Sequence, residues 1–338
     1  LAELEQTSGR DLKAWSKQWL EAAGINTISA RVDENADGTI AALTLDQSVP
    51  AEHPVLRPHR LAVGFYNENA DGQIVRTDRF ELDVTGEHTT VEEAAGKKRP
   101  AFILVNDDDL TYTKLRFDPQ SLEFAAENLY RFADPLARSV VWLSLWDMTR
   151  DGEFPAERFI NTSLDALATE HESTTFRYAL AQVSTTAHHY VVPARSADVA
   201  KNTAERLWKL AGKAQAGSDE QFQLVGAYLT YGVEGDERFR ANVEGLLDGS
   251  VKLEGLDIDN NMRWTILKAL AGVNAVDNAR IDEELAKRDT TENREFAYGA
   301  RASRATAKAK AWAWDQALHN GDLTNMQLEA VAAGFAST

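Results

Sequence analysis

After an opening helical stretch the hydrophobic period of this chain turns alternating near Asn26 and helical again near Pro119, and the second change limits what the chain can fold into. Across residues 26–118 apolar and polar residues alternate, the period of a half-buried strand. Residues 39–46 alternate Leu43 and Leu45 with Thr44 and Asp46. Residues 59–66 set Leu61, Val63 and Phe65 on one face, and residues 79–84 do the same with Phe80, Leu82 and Val84. Residues 101–105 form a continuous apolar run, suited to a strand covered on both sides. The pairs Asp37-Gly38, Asp71-Gly72 and Thr85-Gly86 tolerate turn backbones. Several short strands at this spacing predict a β-sandwich.

Beyond Pro119 the period is helical to the end. Faces are marked by Leu122/Ala126/Leu129, Phe159/Ile160/Leu164/Leu167, Phe176/Leu180/Val183, Val225/Leu229, Phe239/Val243/Leu246, Ile266/Leu270 and Ile281/Leu285. Gly217, Gly235, Gly249, Gly272 and Gly321 read as stops, and Ser218 with Gln221 as a capping box. Helix follows helix about every twenty residues, as in α-superhelices of HEAT-like hairpins. The fold class is therefore multidomain β plus α: a β-sandwich, then an all-α superhelical domain.

Residues 134–152 (D-P-L-A-R-S-V-V-W-L-S-L-W-D-M-T-R-D-G) form the most strongly bounded helix. Asp134 and Pro135 mark its start, Arg150 and Gly152 its stop. The stripes Leu136/Val140/Leu143, Val141/Leu145/Met148 and Trp142/Trp146 predict burial on nearly all sides. Arg138, Asp147 and Arg150 are then expected to pair inside the fold or face a cavity. A further helix over residues 4–23 carries Leu12, Trp15, Trp19 and Leu20, with Gly24 as its stop, and needs a partner surface for its two tryptophans.

Net charge is −17 with a pI near 4.9, which argues against a phosphate-tracking nucleic-acid binder. There is no cysteine, which removes disulfides, thiolate zinc sites and cysteine nucleophiles together. No apolar run reaches membrane-spanning length. The opening Leu1-Ala2-Glu3 reads as the inside of a longer chain.

The search for a catalytic set returns negatives. His171-Glu172 lacks the second histidine of H-E-x-x-H, and neither G-x-S-x-G nor a phosphate-binding glycine loop is found. His188-His189 cannot readily share an ion, because neighbours on a helix point about 100° apart. The stretches beginning at Asp33 and Asn67 have the 1-3-5 oxygens and Gly38 or Gly72 at position 6 of a calcium loop. Position 12 is Thr44 or Asp78 instead of glutamate, and N-A-D-G between strands makes a hairpin turn. Asn106-Asp107-Asp108-Asp109 reads as a solvated turn or an acidic pocket for a cation or amine. Residues 305–318, with Lys308, Lys310, Trp312 and Trp314, read as an alanine-packed core helix. No catalytic, cofactor-binding or metal-ligating residue is assigned.

Three segments together resemble the C-terminal part of the zinc aminopeptidase N family, bacterial type. They are Ser8-Gly9-Arg10-Asp11-Leu12 with Trp15, Trp19-Leu20 and Gly24; L-V-N-D-D-D-L-T-Y-T-K from Leu104 to Lys114; and L-A-R-S-V-V-W-L-S-L-W-D-M from Leu136 to Met148, continuing into Arg150-Asp151-Gly152. Arg263-Trp264, Lys308/Trp312 and Gly334-Phe335 match more weakly. The resemblance implies a remnant of a catalytic domain (1–25), a β-sandwich (26–118) and a helical capping domain (119–338). It implies zinc in the parent enzyme and none here, since G-A-M-E-N, H-E-x-x-H and the transition-state tyrosine have no counterpart in the chain. The fragment is then inactive by itself, cytoplasmic, partnered by the upstream catalytic domain and by peptide substrates, and not by nucleic acid or membrane. The alternative is a stand-alone scaffold of β-sandwich and helical repeats that binds a partner protein.

Overall fold

A computed structural model describes residues 1–234 and 237–337, so the stop expected at Gly235 lies outside the described residues. Two compact units divide the chain, Leu1–Thr175 and Phe176–Thr338.

The first unit opens with two short helices, α1 (Ala2–Ser8) and α2 (Lys13–Trp19), in place of the one expected over 4–23. The break falls at Gly9, which is left-handed and donates to Glu5 O, and the Asp11 carboxylate receives the Lys13 N–H to restart the helix. Seven strands follow: β1 (Thr27–Glu34), β2 (Ile40–Ser48), β3 (His59–Glu68), β4 (Ile74–Val84), β5 (His88–Thr90), β6 (Phe102–Asp107) and β7 (Lys114–Arg116). They form two sheets, ordered β5-β2-β1-β7 and β4-β3-β6, antiparallel except for β1 beside β7. Leu43, Leu45, Leu61, Val63 and Phe65 are buried, but so are Thr44, Ala62 and Tyr66 between them, so β3 is covered on both faces where alternation predicted one; β6 is buried at every position, as its apolar run predicted. Both N-A-D-G stretches make hairpin turns. Asn35 and Thr39, and Asn69 and Gln73, join across them, with Gly38 and Gly72 at φ 78°, where a Cβ would be strained.

Pro119 ends the strands, and α3 (Pro119–Asn128), α4 (Pro135–Arg150) and α5 (Ala156–Ala166) still belong to the first unit, because α3 and α4 pack on β6 and α4 also on β7. The buried face of α3 is Ser121/Ala125/Leu129, with Leu122 and Ala126 only partly covered. In α4, Asp134 Oδ1 accepts the Leu136 N–H at 2.9 Å, as its sequence predicts. Its burial is less complete than expected. Val140, Val141, Trp142, Leu145 and Met148 are buried, whereas Leu136 and Leu143 are 44% and 54% exposed. The helix lies on the sheets with one side in solvent. Trp142 is the tighter tryptophan, its Nε1 donating to Ser163 Oγ at 3.0 Å; Trp146 is half-buried against Phe159.

The second unit continues α6 (Ser173–His189) through α7 (Ser196–Lys213), α8 (Asp219–Glu234), α9 (Glu237–Asp248), α10 (Asn260–Gly272), α11 (Asn278–Lys287), α12 (Thr291–Ser303), α13 (Ala307–His319) and α14 (Asn325–Ala336). From α7 onward successive helices mostly pack on each other, and α8 on α10, α10 on α12 and α12 on α14. Starts are marked locally: Asp259, Asp277, Thr290, Thr306 and Thr324 each accept a backbone N–H of the first turn. The complete capping box is Thr324/Gln327. At the expected box, Ser218 Oγ accepts from Gln221 N, but Gln221 Oε1 accepts from Gly217 N and its amide donates to Ala211 O and Glu254 O. Gln221 is thus a buried tie between segments. Gly217 and Gly249 are left-handed stops; α10 runs through Gly272, and Asn274 supplies the left-handed residue there. A Cβ on Gly334 would collide with Gly299 O, so glycine at this point lets α14 lie directly on α12.

Candidate functional site

The most elaborated polar cluster lies where β6 ends, at the acidic turn. Asn106, Asp108 and Asp109 have φ of 58°, 66° and 52°, a conformation that side-chain-bearing residues adopt only when neighbours hold it. Asn106 supplies that hold: its side chain accepts the Thr111 N–H at 3.0 Å and donates to Thr111 O at 2.9 Å. Asp107 points into the sheet and is 1% exposed. Its Oδ1 accepts the Tyr66 hydroxyl at 2.6 Å and its Oδ2 accepts Arg76 Nη1 at 2.7 Å. Space for the carboxylate exists because residue 64 is glycine; a Cβ there would sit 2.6 Å from Asp107 Oδ2. Arg76 also reaches Asp108 Oδ1, and Arg79 donates to Asp108 Oδ2, each at 2.7 Å.

The electrostatics follow from these contacts. Hydrogen bonds to Asp107 and Asp108 raise the Arg76 guanidinium further above its usual range. Burial, then the Asp107 carboxylate, raise the Tyr66 phenol. Burial would raise Asp108, but Arg76 and Arg79 outweigh it and lower its carboxyl. The turn has the expected Asx-type bonds and an exposed tip at Asp109 and Leu110, but it is no open acidic pocket: Asp107 and Asp108 are held by protein donors. Its chemistry is that of a clamp joining β3, β4 and β6.

Beside it, His59 is 2% exposed, its Nδ1 2.8 Å from Thr111 Oγ1 and its ring edge-on to Trp19 at 5.1 Å. Burial, then the neighbouring Arg57 charge, push the imidazole down to about 4, so it is neutral near pH 7. Arg57 donates to Gln18 O, Ala22 O, Ala23 O and Asn26 Oδ1, closing the end of α2. Trp19 therefore already packs on the strands. The side chains left open are Leu4, Trp15 and Leu20, 53%, 36% and 68% exposed.

The other residues singled out by the sequence are placed as follows. Arg138 grips the fully buried Glu170 at 2.7 and 3.1 Å and donates to Phe132 O, the internal pair expected of it. Arg150 instead is 54% exposed, 3.6 Å from Asp147, whose carboxyl is raised by burial and partly lowered again by Lys114 and Arg150. Glu172 caps α6 by accepting from Thr174 N and Thr175 N. His188 Nδ1 lies 2.7 Å from Ser184 O, its ring 6.5 Å from that of His189. Arg263 holds the buried Glu284 at 2.6 and 3.0 Å. Burial would raise Glu284, but Arg263 and Lys287 overcome this and hold it at about 2. Lys310 donates to Ala302 O, Gly334 O and Phe335 O, tying the ends of α12 and α14, and burial lowers its pKa. Ala313 packs with Ala302 and Val331, the alanine face expected of α13. Among the described residues no three His, Asp or Glu side chains group as metal ligands do, and no helix is long and apolar enough to cross a membrane. Sequence reasoning missed Gly64 and Glu170, whose partners lie far away in the chain, the ties of Gln221 to Ala211 and Glu254, and the pair Arg301/Arg304, whose three-residue spacing was the available signal.

With the geometry described, the comparisons can be placed. Residues 102–338 match the model of the ERAP1-like C-terminal domain. Aminopeptidase N of Streptomyces lividans is 39% identical over 345 residues, covering 100% of this chain and 40% of that protein. The chain thus spans two fifths of the length of this curated relative.

Proposed function

Because the chain belongs to the family of ERAP1-like C-terminal domains, we propose that it is the non-catalytic C-terminal region of a zinc-dependent aminopeptidase. In this reading residues 1–25 are the end of the catalytic domain, 26–118 a β-sandwich, and 119–338 a superhelical cap that limits access to a peptide chamber. The observation that carries it is the match of the whole chain to two fifths of a larger aminopeptidase. The saturated charges of the acidic turn support a structural role for this portion, and the packing of helices on their neighbours supports the superhelical reading. Catalytic zinc, which would activate water and polarise the scissile carbonyl, belongs to the upstream domain of the parent. The exposed Leu4, Trp15 and Leu20 are the surface on which that domain docks. The parent enzyme removes N-terminal residues from peptides in the cytoplasm.

The test is direct. The purified chain, incubated with zinc and dialysed, is assayed for metal content and for hydrolysis of aminoacyl amides. The expected outcome is neither stoichiometric zinc nor turnover, since a catalytic zinc needs three protein ligands as a rule. Turnover abolished by a chelator would refute the reading.

A further inference from the structure

The groove between α12 and α13, about 540 Å³ in volume, falls within the size range of small-molecule sites. Three cations line it, Arg301, Arg304 and Lys308, and no carboxylate does, in a chain whose net charge is −17. Elsewhere in this unit several arginines are held by carboxylates, as Arg263 is by Glu284. At the groove Arg301 is held by Asp282, which is itself 59% exposed, but Arg304 is not so held. Arg304 donates from Nη1 to the neutral Asn278 Oδ1 at 3.2 Å, while its Nε is buried with no partner in the protein. With no carboxylate beside it, the charge of Arg304 is left for an acceptor arriving from outside. Lys308 is exposed and has no ion pair among the described residues. The adjoining wall is aromatic: Tyr298 and Trp312 stack at 5.9 Å with their planes 21° apart.

We propose that this groove binds a small organic oxyanion carrying a flat ring, a carboxylate or a phosphate. Arg304 takes the oxygens, for which a guanidinium fork is shaped, and Arg301, held by Asp282, adds positive charge beside it. Lys308 adds charge, and Trp312 with Tyr298 takes the ring by stacking. The inference stands on this groove alone and does not depend on the peptidase reading.

The test titrates the 338-residue chain with phenyl phosphate, benzoate, inorganic phosphate and benzyl alcohol at constant ionic strength. It is followed by calorimetry and by the indole N–H resonance of Trp312, assigned with Trp312→Phe. Phenyl phosphate or benzoate should bind saturably and move that resonance, and the tighter of the two identifies the charged group. Inorganic phosphate should bind at least tenfold more weakly and benzyl alcohol not measurably. The double variant Arg304→Gln/Lys308→Gln should lose tenfold or more in affinity while melting as the parent does; Lys308→Gln alone, on an exposed side chain, serves if the double variant melts early. No saturable binding by either aromatic anion would overturn the proposal. So would wild-type affinity in both variants, or inorganic phosphate binding as tightly as phenyl phosphate.

Discussion

The acidic turn of the first unit and the α12–α13 groove of the second both gather arginines beside polar side chains, and they end differently. At the turn, Arg76 and Arg79 meet Asp107 and Asp108 at 2.7 Å each, and Tyr66 completes the buried carboxylate. At the groove, Arg304 meets only an asparagine and Lys308 meets no carboxylate. The difference separates architecture from recognition. A cluster that satisfies itself fixes the fold and has nothing left to offer a ligand, whereas leftover donors around a cavity are open to a ligand.

Substitutions should reproduce that division, beginning with the framework that carries the turn. Trp142→Ala, which empties a buried site against α5 and removes the donor to Ser163, should cost roughly 3–5 kcal/mol by denaturant unfolding. Trp146→Ala should cost clearly less, since that ring is only half-buried. Equal costs would mean that the deeper end of the α4–α5 contact has been misassigned.

Acid should separate the two units next. His59 folds with a pKa of about 4 against an ordinary 6.5, so its contribution is complete above pH 6.5 and is lost as pH falls toward 4. Glu284 folds at about 2 against 4.5, so its contribution is complete above pH 4.5 and is lost as pH falls toward 2. Each shift corresponds to about 3 kcal/mol. Melts from pH 7 to pH 2 should show the first unit weakening first. His59→Asn should flatten the slope between pH 6.5 and 4, and Glu284→Gln the slope between pH 4.5 and 2. Unchanged slopes would break the assignment.

Asp107→Ala should then cost about 2–3 kcal/mol, because the Tyr66 hydroxyl loses its acceptor while Arg76 keeps Asp108. At the small end, Lys308→Gln should leave the melting temperature unchanged. A loss comparable to that of Asp107→Ala would show that the groove is framework too.

What was legible in the sequence is what short segments decide. The N-A-D-G hairpins, the cap at Asp134 and the apolar stripe of α5 need only neighbours within a turn or two. The helix expected over 4–23 failed because Gly9 followed by Asp11 can stop one helix and start another, and periodicity alone does not weigh that. Trp142 and Trp146 lie one turn apart on one stripe, so only the packing of neighbouring elements such as α5 decides which is deeper. The clamp on Asp107 and Asp108 was not legible because Arg76 and Arg79 lie about thirty residues earlier, and the space at Gly64 is visible only in three dimensions. The groove stayed hidden for the same reason: Asn278, Arg304 and Trp312 come from three elements.

The central claim, that this chain completes a catalytic portion it does not contain, is tested most directly by a titration in trans. The Streptomyces lividans aminopeptidase N, lacking the region matched by this chain, would be titrated with the 338-residue chain and followed by hydrolysis of short peptides and by calorimetry. Saturable association that restores peptide processing is the predicted result. It should weaken by on the order of thirtyfold for Trp15→Ala/Leu20→Ala, because exposed aromatic and aliphatic anchors commonly carry about 2 kcal/mol. Two folded partners that show no association at high micromolar concentration would contradict the account and leave the chain a scaffold that acts by itself.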